Sequence, residues 1–468
     1  MRATLRICAT IAAAFVLAPA AHAGGPEVVL GATEDAVRAP TMAQAKAQMD
    51  MLALAGFRGV RITQIWTPGE RKLSADDKTI LENVVAAAKL DHVEVLTSVM
   101  NQGSKTTPLT PDDQADFAAY AASVVKAFPE LRTIIVGNEP NLNRYWLPQF
   151  NEDGSDAAAP AYESLLALTY DAVKAEDPDV TVLGGAVSPR GSDNPDGIRP
   201  THSPTVFIHD LGQAMRDSGR TEPIMDGFAF HPYEDNSSVA PVTGTHLNST
   251  TIALADYDKL VASLGEAFGD YELPIWYDEF GVESQIPAAK AEPYTGTEPT
   301  TTKPVDEATQ AAYYRQAAEL VFCQPNIRGL FLFHTVDEKA LAGWQSGVYY
   351  ADDTPKTSLK SVQTSLALAR RGVIAHCDGL ELTVKPKIAQ VKDVITVTCD
   401  LDCAYVAQLY RLPGKLLATR KGTAIGGRAT RLSFTVPKAK ATYRVRLTAT
   451  APVNPGPPTL VLRNVRPG

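Results

Sequence analysis

Eight times between residues 27 and 370 a short apolar run gives way to a stretch with helical spacing, and from residue 380 the texture changes to short alternating runs. These two observations predict an α/β fold, a (β/α)8 TIM barrel with insertions, followed by a small all-β immunoglobulin-like sandwich. Charge is the third observation. Residues 375–468 carry 15 Lys and Arg against 5 Asp and Glu, a balance of +10, so with the whole chain at −9 the first 374 residues carry −19. The reading is therefore a catalytic domain at 24–374 and an accessory domain at 375–468. An acidic barrel argues against nucleic acid as partner, because a polyanion is repelled by it. The basic residues of the second part are scattered along strands and read as a solvated face.

Taken in order, residues 1–23 have the pattern of a secretory signal peptide: Arg2 and Arg6, an apolar run from Ile11 to Leu17, and Ala21-His22-Ala23 as the cleavage site. That run is too short to cross a bilayer and no later stretch is long enough, so a secreted protein, extracellular or cell-wall-associated, is expected. Strands are predicted at 27–31, 59–65, 92–100, 133–137, 181–187, 225–230, 274–277 and 327–333. Their helices fall at 41–56, 74–90, 111–128, 161–175, 204–218, 252–265, 306–323 and 358–369. The first helix shows the reasoning: Met42, Ala45, Met49 and Leu52 recur on one face, and Gly56 stops it. Thr133-Ile134-Ile135-Val136 is apolar without alternation, the mark of a strand covered on both faces. A doubly wound sheet is the rival fold, and it lacks a GxGxxG turn after the first strand. Beyond the barrel, alternating strands are expected at 380–384, 394–398, 404–410, 430–436, 442–448 and 459–462.

Cys8 leaves with the signal, so Cys323, Cys377, Cys399 and Cys403 remain, an even number suited to an oxidising compartment. Of three pairings, a local Cys399–Cys403 disulfide bond and a long-range Cys323–Cys377 bond are preferred, the second tying the end of the barrel to its last helices. Their spacing is not two CxxC pairs and no histidine cluster completes a zinc site.

The C-terminal ends of barrel strands are where this fold carries chemistry. There the sequence offers Arg61, then Asn138-Glu139, His231-Pro232-Tyr233, Asp278-Glu279-Phe280-Gly281 and His334, with Trp344 in the loop beyond. Two carboxyl groups facing one another across a cleft are what glycoside hydrolysis needs, about 5–5.5 Å apart when the mechanism retains configuration. Alternation along a strand lets only one of Asp278 and Glu279 face the centre. Glu279 is the choice, with Asp278 behind it or paired with an arginine. Tyr145 and Trp146, just past Glu139, are candidate sugar-stacking rings; His202, His209 and His246 are read as surface residues.

Gly137-Asn138-Glu139-Pro140-Asn141, Phe230-His231-Pro232-Tyr233, Trp276-Tyr277-Asp278-Glu279-Phe280-Gly281 and the stretch from Ser346-Gly347-Val348-Tyr349 to Thr354-Pro355-Lys356 resemble the retaining (β/α)8 glycosidases of glycoside hydrolase clan A, families 5 and 39 above all. The resemblance implies a hydrolase of carbohydrate metabolism, an O-glycosidase with Glu139 as general acid/base and Glu279 as nucleophile. It further implies that Asn138 holds the sugar 2-hydroxyl, Tyr233 hydrogen-bonds the nucleophile, and Arg61 keeps Glu279 ionised while a less solvated Glu139 keeps its proton. His231, Trp146, His334 and Trp344 complete the expected carbohydrate contacts; Trp344 stands in for a tryptophan that members carry where this chain has Phe333-His334. No cofactor, metal or nucleic acid is expected, and the chain is read as a monomer. The alternative is a catalytically inactive carbohydrate-binding or cell-wall-associated barrel. A metal-dependent barrel hydrolase would want His-x-His on the first strand, and Val28-Val29-Leu30-Gly31 offers none.

Overall fold

The computed structural model describes residues 24–374, 377, 381–437 and 441–466; the expected signal peptide at 1–23 and most residues around the expected boundary at 375 lie outside them. Eight parallel strands close into a barrel in chain order: β1 (Val29–Thr33), β2 (Gly59–Trp66), β3 (Glu94–Asn101), β4 (Thr133–Val136), β5 (Thr181–Val187), β6 (Gly227–Phe230), β7 (Ile275–Phe280) and β8 (Ile327–Phe333). β8 pairs back onto β1, Gly329 with Val29 through Phe333 with Thr33. Behind them lie α1 (Met42–Ala55), α2 (Ala75–Asp91), α3 (Pro111–Ala127), α4 (Ala158–Glu176), α5 (Pro204–Asp217), α6 (Tyr257–Phe268), α7 (Glu307–Phe322) and α8 (Ser358–Arg370).

Local chemistry sets where these helices begin and end. Thr41, Ser74, Thr110 and Asp306 each accept a backbone N–H of the first turn with the side chain, satisfying a donor that the helix itself leaves open. Gly56 closes α1 at φ 100°, a left-handed conformation that glycine adopts without penalty. Inside the barrel, Leu96, Ile135, Leu183, Ala229 and Phe331 form a buried cluster of their own, with Val29 and Trp276 packed against it. The Phe331 ring occupies the space that side chains on β1 and β2 would need: a Cβ on Gly31 or Gly59 would fall 2.6 or 2.9 Å from it. The lower barrel is therefore a packed core, and chemistry is confined to the upper rim.

The last quarter folds as two antiparallel sheets. One holds β9 (Lys387–Val391), β10 (Val394–Thr398) and β13 (Thr430–Leu432) in the order β13-β10-β9; the other holds β11 (Cys403–Arg411), β12 (Lys415–Ala424), β14 (Tyr443–Thr450) and β15 (Thr459–Val465) in the order β12-β11-β14-β15. Ile395, Val397, Ala407, Leu409, Val445 and Leu447 are buried in it. β9 and β12 are additions to the sequence reading. Both lie at sheet edges and expose most of their length, so they lack the alternation that reveals a strand. The expected strand at 380–384 is reduced, among described residues, to a bridge between Leu382 and Pro455. Cys323 and Cys377 are bonded, as are Cys399 and Cys403. Arg371, just past α8, grips Asp402 with two nitrogens at 3.0 and 2.8 Å.

Candidate active site

Asn138 and Glu139 follow β4 directly. Gly137 at φ 80° and Glu139 at φ 40° both leave the extended region, so the chain turns sharply over the rim, and the Glu139 N–H is held by the carbonyl of Ala186 at 2.8 Å. Asn141 fixes the turn from beyond: its amide donates to the carbonyls of Ser188 and His202 and accepts from the Ser188 N–H. Sequence reading assigned it no role.

On β7 the expected choice between Asp278 and Glu279 does not arise. Trp276 points into the barrel, and alternation carries Asp278 to the same side. Against β8, however, Tyr277 pairs with Leu330 and Phe280 with Leu332, so β7 advances three residues for two, a bulge that re-aims a side chain. Both carboxylates consequently reach the same two cations. The Arg61 guanidinium lies 3.6 Å from Asp278 and 3.3 Å from Glu279, and the His231 ring lies 3.4 and 3.5 Å from them. Asp278 is fully buried, and its 3.6 Å approach to Arg61 is the arginine pairing given as one of the two expected alternatives.

His231 Nδ1 also lies 3.0 Å from Glu139, so one imidazole touches all three carboxylates. Arg61 donates to the carbonyl oxygen of Asn138 at 2.9 Å, which leaves the amide NH2 of Asn138 free to donate elsewhere. The Tyr233 hydroxyl donates to Glu279 at 3.1 Å. Burial favours neutral His231, but Glu279 and Asp278 outweigh it and hold the imidazole well above its ordinary range. Burial also pushes Glu279 up, and His231 and Arg61 pull against it without prevailing. Arg61 pulls the Glu279 pKa down as expected, but desolvation is the larger effect and the net direction is up. Nor is Glu139 the more secluded of the two, since their side chains are 13% and 11% exposed.

Two cavities open at this rim, of about 530 and 380 Å³. The larger is lined by Glu139, Tyr233, Glu279 and Trp344, and the smaller by Arg61, Asn138, Glu279 and His334. Trp344 stacks on Tyr233 at 4.7 Å and meets Phe333 edge-on at 5.5 Å, so it presents a ring in the place proposed for it. Trp146 is not brought to the site. It is 1% exposed and packs edge-on against Tyr162, whereas its neighbour Tyr145 lines both cavities. His202, read as a surface residue, is also buried, with Nε2 2.8 Å from the carbonyl of Gln149. Sequence reading missed Arg190, which lies in the loop three residues past β5 and donates to the carbonyls of Tyr233 and Glu234. It missed Glu283 and Glu338 as well, which come from loops with no strand-end signal. Among the described residues no group of three His, Cys, Asp or Glu is placed to hold a metal ion.

No protein-family model matches the chain, and no curated protein matches it. Solved structures do. A glucosidase from Croceicoccus marinus aligns over 88% of this chain and 94% of its own at 11% identity, TM-score 0.52. GH5_18 from Streptomyces cattleya, in complex with GlcNAc, aligns over 75% and 81% at 16% identity, TM-score 0.51. The chain spans about half the length of a Bacteroides uniformis β-glucuronidase, 95% of this chain aligning to 47% of that one at 13% identity, TM-score 0.46. These likenesses show the fold, a (β/α)8 barrel of the kind that the Croceicoccus and Streptomyces structures share. At 88% of this chain, the Croceicoccus alignment is longer than the barrel alone.

Proposed function

We propose that the protein is an exported glycoside hydrolase that cleaves β-glycosidic bonds with retention of configuration. The observation that carries this is the shared imidazole: Glu139 and Glu279 approach one nitrogen of His231 at 3.0 and 3.5 Å. Their nearest oxygens are no farther apart than the sum of those distances. That fits the roughly 5–5.5 Å of a retaining pair better than the wider gap, about 6.5–9.5 Å, that an inverting enzyme keeps for water.

In the first step a Glu279 oxygen attacks the anomeric carbon while Glu139 gives its proton to the glycosidic oxygen; the C–O bond breaks as a glycosyl ester forms and the aglycone leaves. Water then enters, Glu139 takes its proton, the hydroxyl joins the anomeric carbon and the ester opens to free Glu279. Tyr233 and Arg61 hold the nucleophile, Asn138 offers its NH2 to the sugar, and Trp344 supplies an apolar face for the ring. The two disulfides fit an oxidising destination, which supports export.

A panel of aryl β-glycosides (gluco, xylo, galacto, manno, arabino), assayed with the wild type and Glu279→Ala, tests the reading. The wild type releases aryl alcohol from at least one, the variant loses about 10⁴-fold or more, and azide restores the variant by forming an α-glycosyl azide. A β-glycosyl azide, or wild-type activity that survives Glu279→Ala, would overturn it.

A further inference from the structure

The two cavities meet at a neck formed by Tyr145 on one side and Phe333 and Glu338 on the other, with Glu279 as the floor common to both. Glu139 lines only the larger cavity; Asn138 and Arg61 line only the smaller. This asymmetry gives the cleft a direction. A general acid must touch the glycosidic oxygen, so the leaving group lies where Glu139 is, in the larger cavity. The nucleophile must sit under the anomeric carbon, so the sugar being cleaved rests over Glu279 at the neck. The smaller cavity then starts beside that sugar, at Asn138 and Arg61, and extends away from the leaving group toward β1. Its volume of about 380 Å³ is by itself that of a small-molecule site, which commonly spans about 300–1,000 Å³. Beyond Arg61 and Asn138 its lining includes Glu34, Asp35, Ala36 and Met100 on the β1 and β3 side and His334 and Asp337 on the β8 side, a mixture of carboxylate, imidazole and apolar surface. A blind pocket for one terminal sugar would be walled here.

We infer that this arm holds a further sugar on the non-reducing side of the cleaved residue, so that the substrate is a β-linked oligosaccharide or polysaccharide cut at least two sugars in from its end. The inference rests on the glycosidase reading above. Hydroxyls along the arm meet carboxylate acceptors, and Glu34, Asp35, Asp337 and Glu338 outnumber Arg61 and His334 in its lining, which makes the arm unfavourable for a uronic acid, whose carboxylate would face like charge.

The experiment compares 4-nitrophenyl β-glycosides of a monosaccharide and its β-1,4-linked disaccharide in the gluco, manno and xylo series, following nitrophenol release and the sugar product together. In the active series kcat/KM is expected to be about tenfold or more higher for the disaccharide, one filled subsite amounting to about 1.4 kcal/mol, and the intact disaccharide is the first product. Ala36→Trp, a substitution at an exposed position of the arm, is expected to bring the disaccharide-to-monosaccharide ratio of kcat/KM toward one. The inference is overturned if the monosaccharide glycoside is cleaved at least as well in every active series, if the terminal sugar is removed before nitrophenol appears, or if Ala36→Trp leaves a large ratio unchanged. Cleavage of none of the six compounds, with the wild type equally silent on polymers, removes the glycosidase reading itself and the inference with it.

Discussion

In the mechanism proposed above, Arg61 and His231 stand against the carboxyl groups of Asp278, Glu279 and Glu139 around the reacting centre, and a buried cluster of this kind is least costly when each charge has a partner. Replacing His231 by glutamine leaves three carboxyl groups to one arginine. The acid limb of the pH profile of kcat/KM, which reports ionisation of Glu279, is expected to move up by about one unit, with kcat down about 10²-fold; a profile that falls in height without moving on the pH axis would show His231 to be a scaffold only. A second prediction concerns the walls. Burial, aided by Asp256, pushes Glu234 up to about 9, and burial with Glu298 pushes Glu283 up to about 8. Each keeps its proton in the folded state at a pH where the unfolded chain has released it. Stability therefore falls as pH rises from the ordinary carboxyl range through those values, by at most about 1.4 kcal/mol per unit for each group. Urea titrations at pH 5 and pH 9 should show the loss, and Glu283→Gln should lessen it. The residue scale was also where the sequence was most legible: Glu139, Glu279, His231, Tyr233 and Arg61 are polar groups at strand ends that packing does not require. Tyr145 and Trp146 were harder, since adjacent residues in an irregular loop follow no periodicity and one turns to the cavity, the other to the core.

Elements carry the next level of organisation. The loops after β7 and β8 are bound together by Lys356, fully buried, whose ammonium donates to Asp337 at 2.8 Å, to the Ser284 hydroxyl at 2.8 Å and to the carbonyl of Gln345 at 3.0 Å. Asp337 in turn accepts from the Tyr294 hydroxyl at 2.7 Å and the Gly347 N–H at 2.9 Å. Gln345 is next to Trp344, so this pair stands behind the aromatic platform. Lys356→Met strands a buried carboxylate and is expected to destabilise the protein by about 3–5 kcal/mol; adding Asp337→Asn should restore more than half of that in thermal denaturation. Strands and helices of the barrel were readable because periodicity, caps and glycine stops agreed with one another. The β7 bulge was not, because a bulge is a property of pairing with β8 and leaves no mark on the β7 sequence alone. It is this bulge that lets Asp278 and Glu279 serve one site together.

At the scale of the whole molecule, the −19 and +10 portions are joined by covalent and ionic ties. The Cys323–Cys377 bond links the end of α7 to the chain leaving the barrel across 54 positions, and Arg371 with Asp402 and Lys385 with Glu27 cross the same junction. A loop of that size corresponds to about 4 kcal/mol of chain entropy removed from the unfolded state. Cys323→Ser/Cys377→Ser is expected to lower Tm accordingly in oxidised buffer and to remove most of the difference that a reductant makes in the wild type, whereas loss of the five-residue Cys399–Cys403 loop should matter less. The sandwich was legible as a class from its alternation, while β12, exposed along most of its length, was not.

The backbone at Glu139 bears on descent. A non-glycine residue at φ 40° carries a penalty of about 1–2 kcal/mol, against which the extra freedom of glycine in the unfolded chain weighs about 0.5–1 kcal/mol. Glutamate and glycine codons differ at a single base. The shortest genetic path that silences this barrel is therefore also one that its fold tolerates: Glu139→Gly should keep the melting temperature of the parent while erasing turnover, where Glu139→Ala, with its Cβ retained, should not relax the turn. If the proposed function holds, a lineage that loses selection for catalysis would drift along that path toward a stable barrel without its general acid.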